Sequence, residues 1–119
     1  MIMREELRKL YGKHRGFTAT IGDCGRFHDL DGKVHNTICL NNIKMKDTNK
    51  EIVDHMWIQN DYIRRIKKGS RIQFRGQVAR YYKGHVKCRR LDYCIDYIQR
   101  VKVIKIKNKK YLIIKNYTD

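Results

Sequence analysis

The sequence contains no proline, which argues against Pro-rich tails, rigid linkers and a second domain joined by a hinge. It also lacks any run of about 18 uninterrupted apolar residues, the length that a membrane-spanning helix requires. The first eleven positions are interrupted by charges of both signs, unlike a secretory signal. We therefore expect a cytoplasmic protein whose cysteines stay reduced.

The four cysteines lack the short-spaced pairs that build a zinc site. Cys24, Cys39, Cys88 and Cys94 form no Cys-x2-Cys pair, and His85 with Cys88 is the closest approach to one. A four-ligand zinc site usually presents two such pairs. We expect no bound metal and no cofactor.

Side chains arranged for catalysis are equally scarce. Asp54 and His55 are neighbours in a predicted strand, where successive side chains point to opposite faces of the sheet. The sequence has neither a Gly-rich phosphate loop ahead of a helix nor a nucleophile elbow. We expect a binding protein rather than an enzyme.

Acidic residues are few, and they are very few in the second half. The 119 residues carry 28 Lys and Arg against 12 Asp and Glu, a net charge of +16. Residues 1–61 hold 10 basic and 9 acidic side chains, whereas residues 62–119 hold 18 basic and 3 acidic. Such a field attracts polyanions, of which nucleic acid is the one we expect. An anionic membrane would require a basic amphipathic helix, and the basic half has the pattern of strands.

Alternating apolar and polar residues predict an all-β domain at residues 13–107 with a single short helix. We expect the strands at about 16–27, 34–45, 51–58, 71–82 and 92–107, and the helix at 60–69, with Asn60 as its N-cap and Gly69 as its stop. Residues 1–12 form an N-terminal arm or short helix, and residues 108–119 a C-terminal extension or extra strand. Three strands, a helix and two strands is the order of the OB-fold, a five-stranded Greek-key barrel. An SH3-like barrel is the main alternative.

Several segments resemble a known family. They are Lys13–Thr20, Ile52–Ile58, and Lys68–Val78 with Tyr81–Gly84. They are similar to small proteins carried by phages, plasmids and other mobile elements of Gram-positive bacteria. The run Lys-Gly-x-x-Ile-x-Phe-x-Gly-x-Val also resembles the fourth strand of OB-fold single-stranded-DNA-binding proteins. The resemblance covers about residues 13–105 and implies an OB-fold, single-strand binding and a location in the bacterial or host cytosol.

Basic residues interleaved with rings form the pattern that a single strand requires, because cations neutralise phosphates and rings stack on bases. An OB-fold ligand lies across strands two and three, between the loop joining strands one and two and the loop joining strands four and five. We expect the first loop at 26–33 and the second at 81–90. The candidate nucleic-acid-binding residues are Arg26, Phe27, Lys33, Trp57, Arg71, Arg75, Tyr81, Tyr82, Lys83, Lys87, Arg89 and Arg90.

Two structural points stay open: whether Trp57 stacks on a base or fills the core, and which of Tyr81 and Tyr82 is exposed. The function that we expect is binding of single-stranded DNA with little sequence specificity, in replication or transfer of a phage or mobile element. The alternatives are an RNA-binding OB module, and a protein-interaction module or inhibitor that docks on an acidic partner. Homo-oligomers and a replication-protein partner also stay open.

Overall fold

The computed structural model describes residues 5–83, 90–107 and 110–117. All six strands lie in one antiparallel sheet with the order β3-β2-β1-β4-β5-β6. The all-β prediction is confirmed, and the two strands β2 and β3 have the bounds expected from the sequence. The elements are α1 (Glu5–Arg8), β1 (His14–His28), β2 (Val34–Met45), β3 (Glu51–Ile58), α2 (Asp61–Arg64), β4 (Arg71–Lys83), β5 (Arg90–Lys107) and β6 (Lys110–Tyr117).

The core lies against the inner face of this sheet. Phe17 of β1 and Phe74 of β4 are paired in register, are completely buried and bring their ring centroids to 5.7 Å. Thr18 points to the outer face and is nevertheless completely buried, because the Arg71 side chain lies over it. Strand alternation predicts the inner side chains correctly, but it does not predict such a cover on the outer face.

The sheet is curled by bulges in the β1–β2 and β4–β5 ladders. Asn42 in β2 and Tyr97 and Arg100 in β5 have positive φ angles of 50°, 50° and 54°, at or near breaks in the pairing register. Bulges of this kind increase the twist and bend of a strand. As a result β3 approaches β5, and the Ile95 N–H donates a 3.4 Å hydrogen bond to Met56 Sδ.

Ladder pairing between β3 and β5 does not occur among the described residues, so the closed five-stranded barrel expected from the sequence is not observed. Helix α1 instead contacts both strands, and its Leu7 is completely buried in the core. Strands β3 and β5 therefore meet through side chains and a one-turn helix.

The helix predicted over residues 60–69 is much shorter in the structure. Asn60 is its N-cap as expected, accepting hydrogen bonds from the backbone N–H groups of Tyr62 and Ile63 at 3.0 and 3.2 Å. The chain then leaves the helix because its backbone bonds to β1: Gly69 N–H donates to Ile21 O, and Ser70 O accepts from Ile21 N–H. The prediction of two turns was wrong because it could not include this tertiary pairing.

Residues beyond 109 continue the sheet. Strand β6 pairs with β5 over Val101–Lys107 and forms its edge. Leu112, Ile113 and Ile114 are each about half or more exposed there. No helix in the described ranges is long and apolar enough to span a membrane.

Candidate nucleic-acid interface

Trp57 lies on the outer face of β3. Its neighbours Met56 and Ile58 point into the core, whereas Trp57 is 51% exposed. The indole extends along the sheet towards β1, since a Cβ placed on Gly25 would lie 3.2 Å from Trp57 Cζ3 and 3.1 Å from Thr37 Oγ1. The Trp57 ring therefore lies on the surface and packs against β1 at Gly25, where the strand has no side chain.

A pair of stacked rings lies on the same face as Trp57. Phe27 and His35 are opposite each other in the β1–β2 ladder and stack with centroids 4.9 Å apart at 21°. Phe27 is two residues from Gly25, so both occupy the same side of β1. We call Phe27, His35 and Trp57 the ring face.

Asp29 fixes the loop beside these rings. Its carboxylate accepts hydrogen bonds from His35 Nε2 at 2.8 Å and from the backbone N–H groups of Asp31 and Lys33 at 2.9 Å each. The hydrogen bond with His35, followed by the one from Lys33, holds the pKa of Asp29 below its usual value. The His35 ring and the turn at residues 29–33 that precedes it are thereby held in place before any ligand binds.

Cations gather at another part of the outer surface. Lys46, Arg75, Arg100 and Lys102 line one cleft of about 150 Å³, together with Gly16, Gln73 and Phe74. Gly16 leaves room for the Lys46 side chain to lie over β1. A Cβ at this position would lie only 3.3 Å from Lys46 Cδ. None of the four makes an ion pair within the described part of the chain. We call these four residues the cation face.

Arg71 lies between the two faces and is already engaged within the protein. Its guanidinium donates to Thr18 Oγ1 at 2.7 Å, to Thr20 Oγ1 at 3.0 Å and to the Asn42 carbonyl at 2.9 Å. Much of its hydrogen-bonding capacity is therefore used to join β4 to β1 and β2.

The first predicted loop is shorter than expected. Arg26 and Phe27 belong to the end of β1, and only residues 29–33 connect it to β2. Lys33 is exposed at the end of that connection. The sequence pattern missed this because the β1–β2 ladder continues as far as His28 and Val34.

The second predicted loop is described only at its ends. Tyr81 lies two residues before the end of β4, is 36% exposed and pairs with Asp92. Tyr82 and Lys83 pair through their backbones with Leu91 and Arg90, and their side chains are not described. Lys87 and Arg89 lie outside the described residues.

Sequence reasoning missed several residues of this surface. They are His35 on the ring face and Lys46, Arg100 and Lys102 on the cation face. The turn signal at Asp31-Gly32 would not have located His35 correctly, because a two-residue turn there places His28 opposite His35, whereas the observed five-residue connection brings Phe27 opposite it. The other three depend on bulges and cross-strand packing that the sequence does not reveal.

Metal ligands are not grouped in the described ranges, where no three His, Cys, Asp or Glu side chains come together. Cys24 is exposed, whereas Cys39 is buried beside Trp57 in the β2–β3 ladder. Burial raises the pKa of the Cys39 thiol. His85 and Cys88, the pair noted in the sequence, lie outside the described residues.

Comparison of the chain with protein-family models, with curated proteins and with solved structures gave no match. The functional argument therefore rests on the geometry of this surface and on the charge of the chain.

Proposed function

We propose that this protein binds single-stranded DNA with little sequence specificity, stacking bases on the ring face and holding phosphates on the cation face. The observation that carries the proposal is the exposure of Trp57 and Phe27, at 51% and 47%, on one outer face of a protein of net charge +16. Exposed rings of this size are costly to leave in water unless a ligand covers them.

Base stacking and phosphate contact make separate contributions. Stacking of one base on an aromatic side chain is worth about 1–3 kcal/mol and is tolerant of sequence, because every base has a flat face. Phosphate contacts add a contribution that weakens with salt. The two faces thus supply the two parts of a non-specific single-strand site.

Strand β1 connects the two faces and sets the length of the site. Gly25 lies under Trp57, and Gly16 lies under Lys46. Nine residues separate these glycines, which at about 3.3 Å per residue corresponds to about 30 Å along the strand. That span suits the roughly 4–16 nucleotides covered by one OB-type domain.

We also propose that the fold is a partly open OB barrel. The order β3-β2-β1-β4-β5 and the approach of β3 to β5 support this assignment. In an OB-fold the ligand crosses strands two and three. The ring face occupies those strands and the adjoining end of β1. We further propose that the protein acts in replication or transfer of a mobile element, together with replication proteins. This part of the proposal rests on the family resemblance.

Trp57 supplies a direct test because it is the only tryptophan in the chain. Titration with oligo-dT should quench its fluorescence, and raising the salt concentration should weaken the binding. Inorganic polyphosphate is the control, because it offers phosphates without bases and should bind without quenching through stacking. Binding of oligo-dT without quenching, or quenching that ignores salt, would contradict the proposal.

Competition with oligo-rU of equal length separates the RNA alternative. A clear preference for rU would replace DNA by RNA as the ligand. Lack of affinity for both oligomers would favour the alternative in which the protein docks on an acidic protein partner.

A further inference from the structure

A small cleft lies behind the ring face, on the opposite side of the β1–β2 ladder. Arg26 and Asn36 are paired in register and point away from Phe27 and His35, their neighbours in sequence. Arg64, from α2, closes the cleft, which has a volume of about 340 Å³. Its lining residues are Cys24, Gly25, Arg26, Asn36 and Arg64.

Among the side chains that the structure describes, the cleft brings two positive charges together without a carboxylate. Asp23 and Asp29, each three residues from Arg26, form ion pairs with Lys68 and His35 instead. Neither Arg26 nor Arg64 makes an ion pair within the described residues, and Arg64 Nε is buried there without a hydrogen-bond partner. A buried donor without a partner and two positive charges that line one cleft are each unfavourable, and an anion bound in the cleft would offset the repulsion between the two charges.

The chemistry of the cleft favours one kind of anion. Two guanidinium groups carry two charges and present forked donors, while Asn36 lines the same cleft with an amide. A phosphomonoester carries about −1.5 to −2 charges and three free oxygens, which match two forks. An internal phosphodiester of a nucleic-acid strand carries a single charge and two free oxygens, and matches them less well.

We infer that this cleft binds the terminal phosphate of a nucleic-acid strand whose end nucleotides lie on the ring face. The inference rests on the proposed function and adds that strands ending in a phosphomonoester are preferred. The path of the strand from the cleft to the ring face is short, because Gly25 borders the cleft on one side of β1 and contacts Trp57 on the other. Strand β4 pairs with β1 only over His14–Thr20, so it does not cover β1 at Gly25.

The first experiment compares oligo-dT carrying a 5′-phosphate, a 3′-phosphate or hydroxyls at both ends. One phosphorylated end should bind about tenfold more tightly than the hydroxyl form, as expected for charge-assisted hydrogen bonds. The double variant Arg26→Gln/Arg64→Gln should lose this preference. The matched control Lys67→Gln/Lys105→Gln removes the same charge at two exposed residues outside the cleft and should keep it.

The second experiment uses Cys24, which lines the cleft and is exposed, as a reporter in the unmodified protein. Alkylation of Cys24 by iodoacetamide, followed by peptide mass spectrometry, should slow with the phosphorylated oligomer and not with the hydroxyl form. Buried Cys39 serves as the internal reference. Protection by inorganic phosphate alone at equal concentration would overturn the strand-end assignment in favour of a free-phosphate site.

Equal affinities for all three oligomers, with Cys24 alkylated at an unchanged rate, would overturn the inference. Quenching of Trp57 would in that case persist, and the proposed function would stand. If none of the three oligomers quenched Trp57 fluorescence, the proposed function itself would be contradicted.

Discussion

The ring face and the cation face lie on the outer surface of one sheet, yet they differ in almost every respect. The ring face is built on the second half of β1 with β2 and β3, and the cation face on the first half of β1 with β4 and β5. In the sequence, the densest run of cations, between residues 64 and 90, also contains Tyr81 and Tyr82. The ring face is instead built from Phe27, His35 and Trp57, which all precede that run.

The two faces are also held in place by different means. On the ring face, Asp29 fixes His35 through a hydrogen bond, and Gly25 leaves room for the Trp57 indole. On the cation face, Arg100 adopts a positive φ at a bulge, and none of the four cations makes an ion pair with another described residue. Ordered rings can accept bases without rearrangement, whereas cations without ion pairs can each contact a phosphate.

Removal of the Trp57 ring should produce the largest change in binding. Trp57→Ala should weaken oligo-dT binding by about 1–3 kcal/mol while leaving the salt dependence unchanged, because no cation is lost. Fluorescence anisotropy with a labelled oligomer at several salt concentrations measures both quantities.

The matched control for this variant is Tyr97→Asn. It removes a ring that is 68% exposed on β5, and asparagine tolerates the positive φ of 50° at that position. Its affinity should equal that of the unmodified protein. An equal loss of affinity in both variants would show that exposed rings act without regard to position.

Alanine substitutions at two glycines should separate an effect on stability from an effect on binding. A Cβ on Gly76 would lie 2.4 Å from the buried Ile95 Cγ2 and 3.2 Å from the Asp96 carbonyl, so Gly76→Ala should destabilise the fold by about 1–3 kcal/mol. Gly25→Ala meets only side-chain atoms, and the half-exposed Trp57 ring can shift. It should weaken oligo-dT binding with little change in the thermal midpoint.

Thermal unfolding and anisotropy on the same two samples check this pair. A lower midpoint for Gly25→Ala than for Gly76→Ala would reverse the roles that we assign to the two regions.

Charge removal on the cation face should lower the affinity most at low salt and should therefore reduce the salt dependence. Each phosphate contact on a single strand contributes about 0.7 to the slope of log K against log salt. Arg75→Gln/Lys102→Gln should therefore reduce the slope by about 1.4 and leave the quenching of Trp57 intact. Lys67→Gln/Lys105→Gln is the control at equal net charge, and an equal loss of slope there would indicate a diffuse attraction rather than a face.

Much of the fold could be predicted from the sequence because its signals are local. Alternation located β2 and β3 to the residue, and Asn60 marked the start of α2. The length of α2 and the closure of the sheet could not be predicted, since they depend on the bonding of Gly69 to Ile21 and on bulges such as the one at Tyr97.

The candidate site was less predictable than the fold. The exposure of Trp57 depends on which way β3 turns its side chains, and the sequence left both orientations open. Arg71 is a candidate nucleic-acid contact, but its guanidinium donates hydrogen bonds to Thr18 and Thr20, which are some fifty residues distant in the chain. Long-range packing decides which cations remain available, and composition alone does not contain it.

The smallest expected effect concerns pH and the loop beside the ring face. Because the folded-state pKa of Asp29 is lowered, its contribution to stability is present at neutral pH and is lost as the pH falls below about 4, through that lowered value. Asp29→Asn keeps an oxygen that can accept from the Asp31 and Lys33 N–H groups but removes the charge opposite His35. The variant should have a slightly lower thermal midpoint at pH 7, and the difference from the unmodified protein should shrink as the pH falls through the lowered pKa of Asp29. Oligo-dT binding at pH 7 should weaken only slightly, because Phe27 still supports the His35 ring by stacking. A difference in midpoint that stays constant as the pH is lowered from 7 through the acid range would mean that Asp29 acts through the shape of its loop and not through its charge.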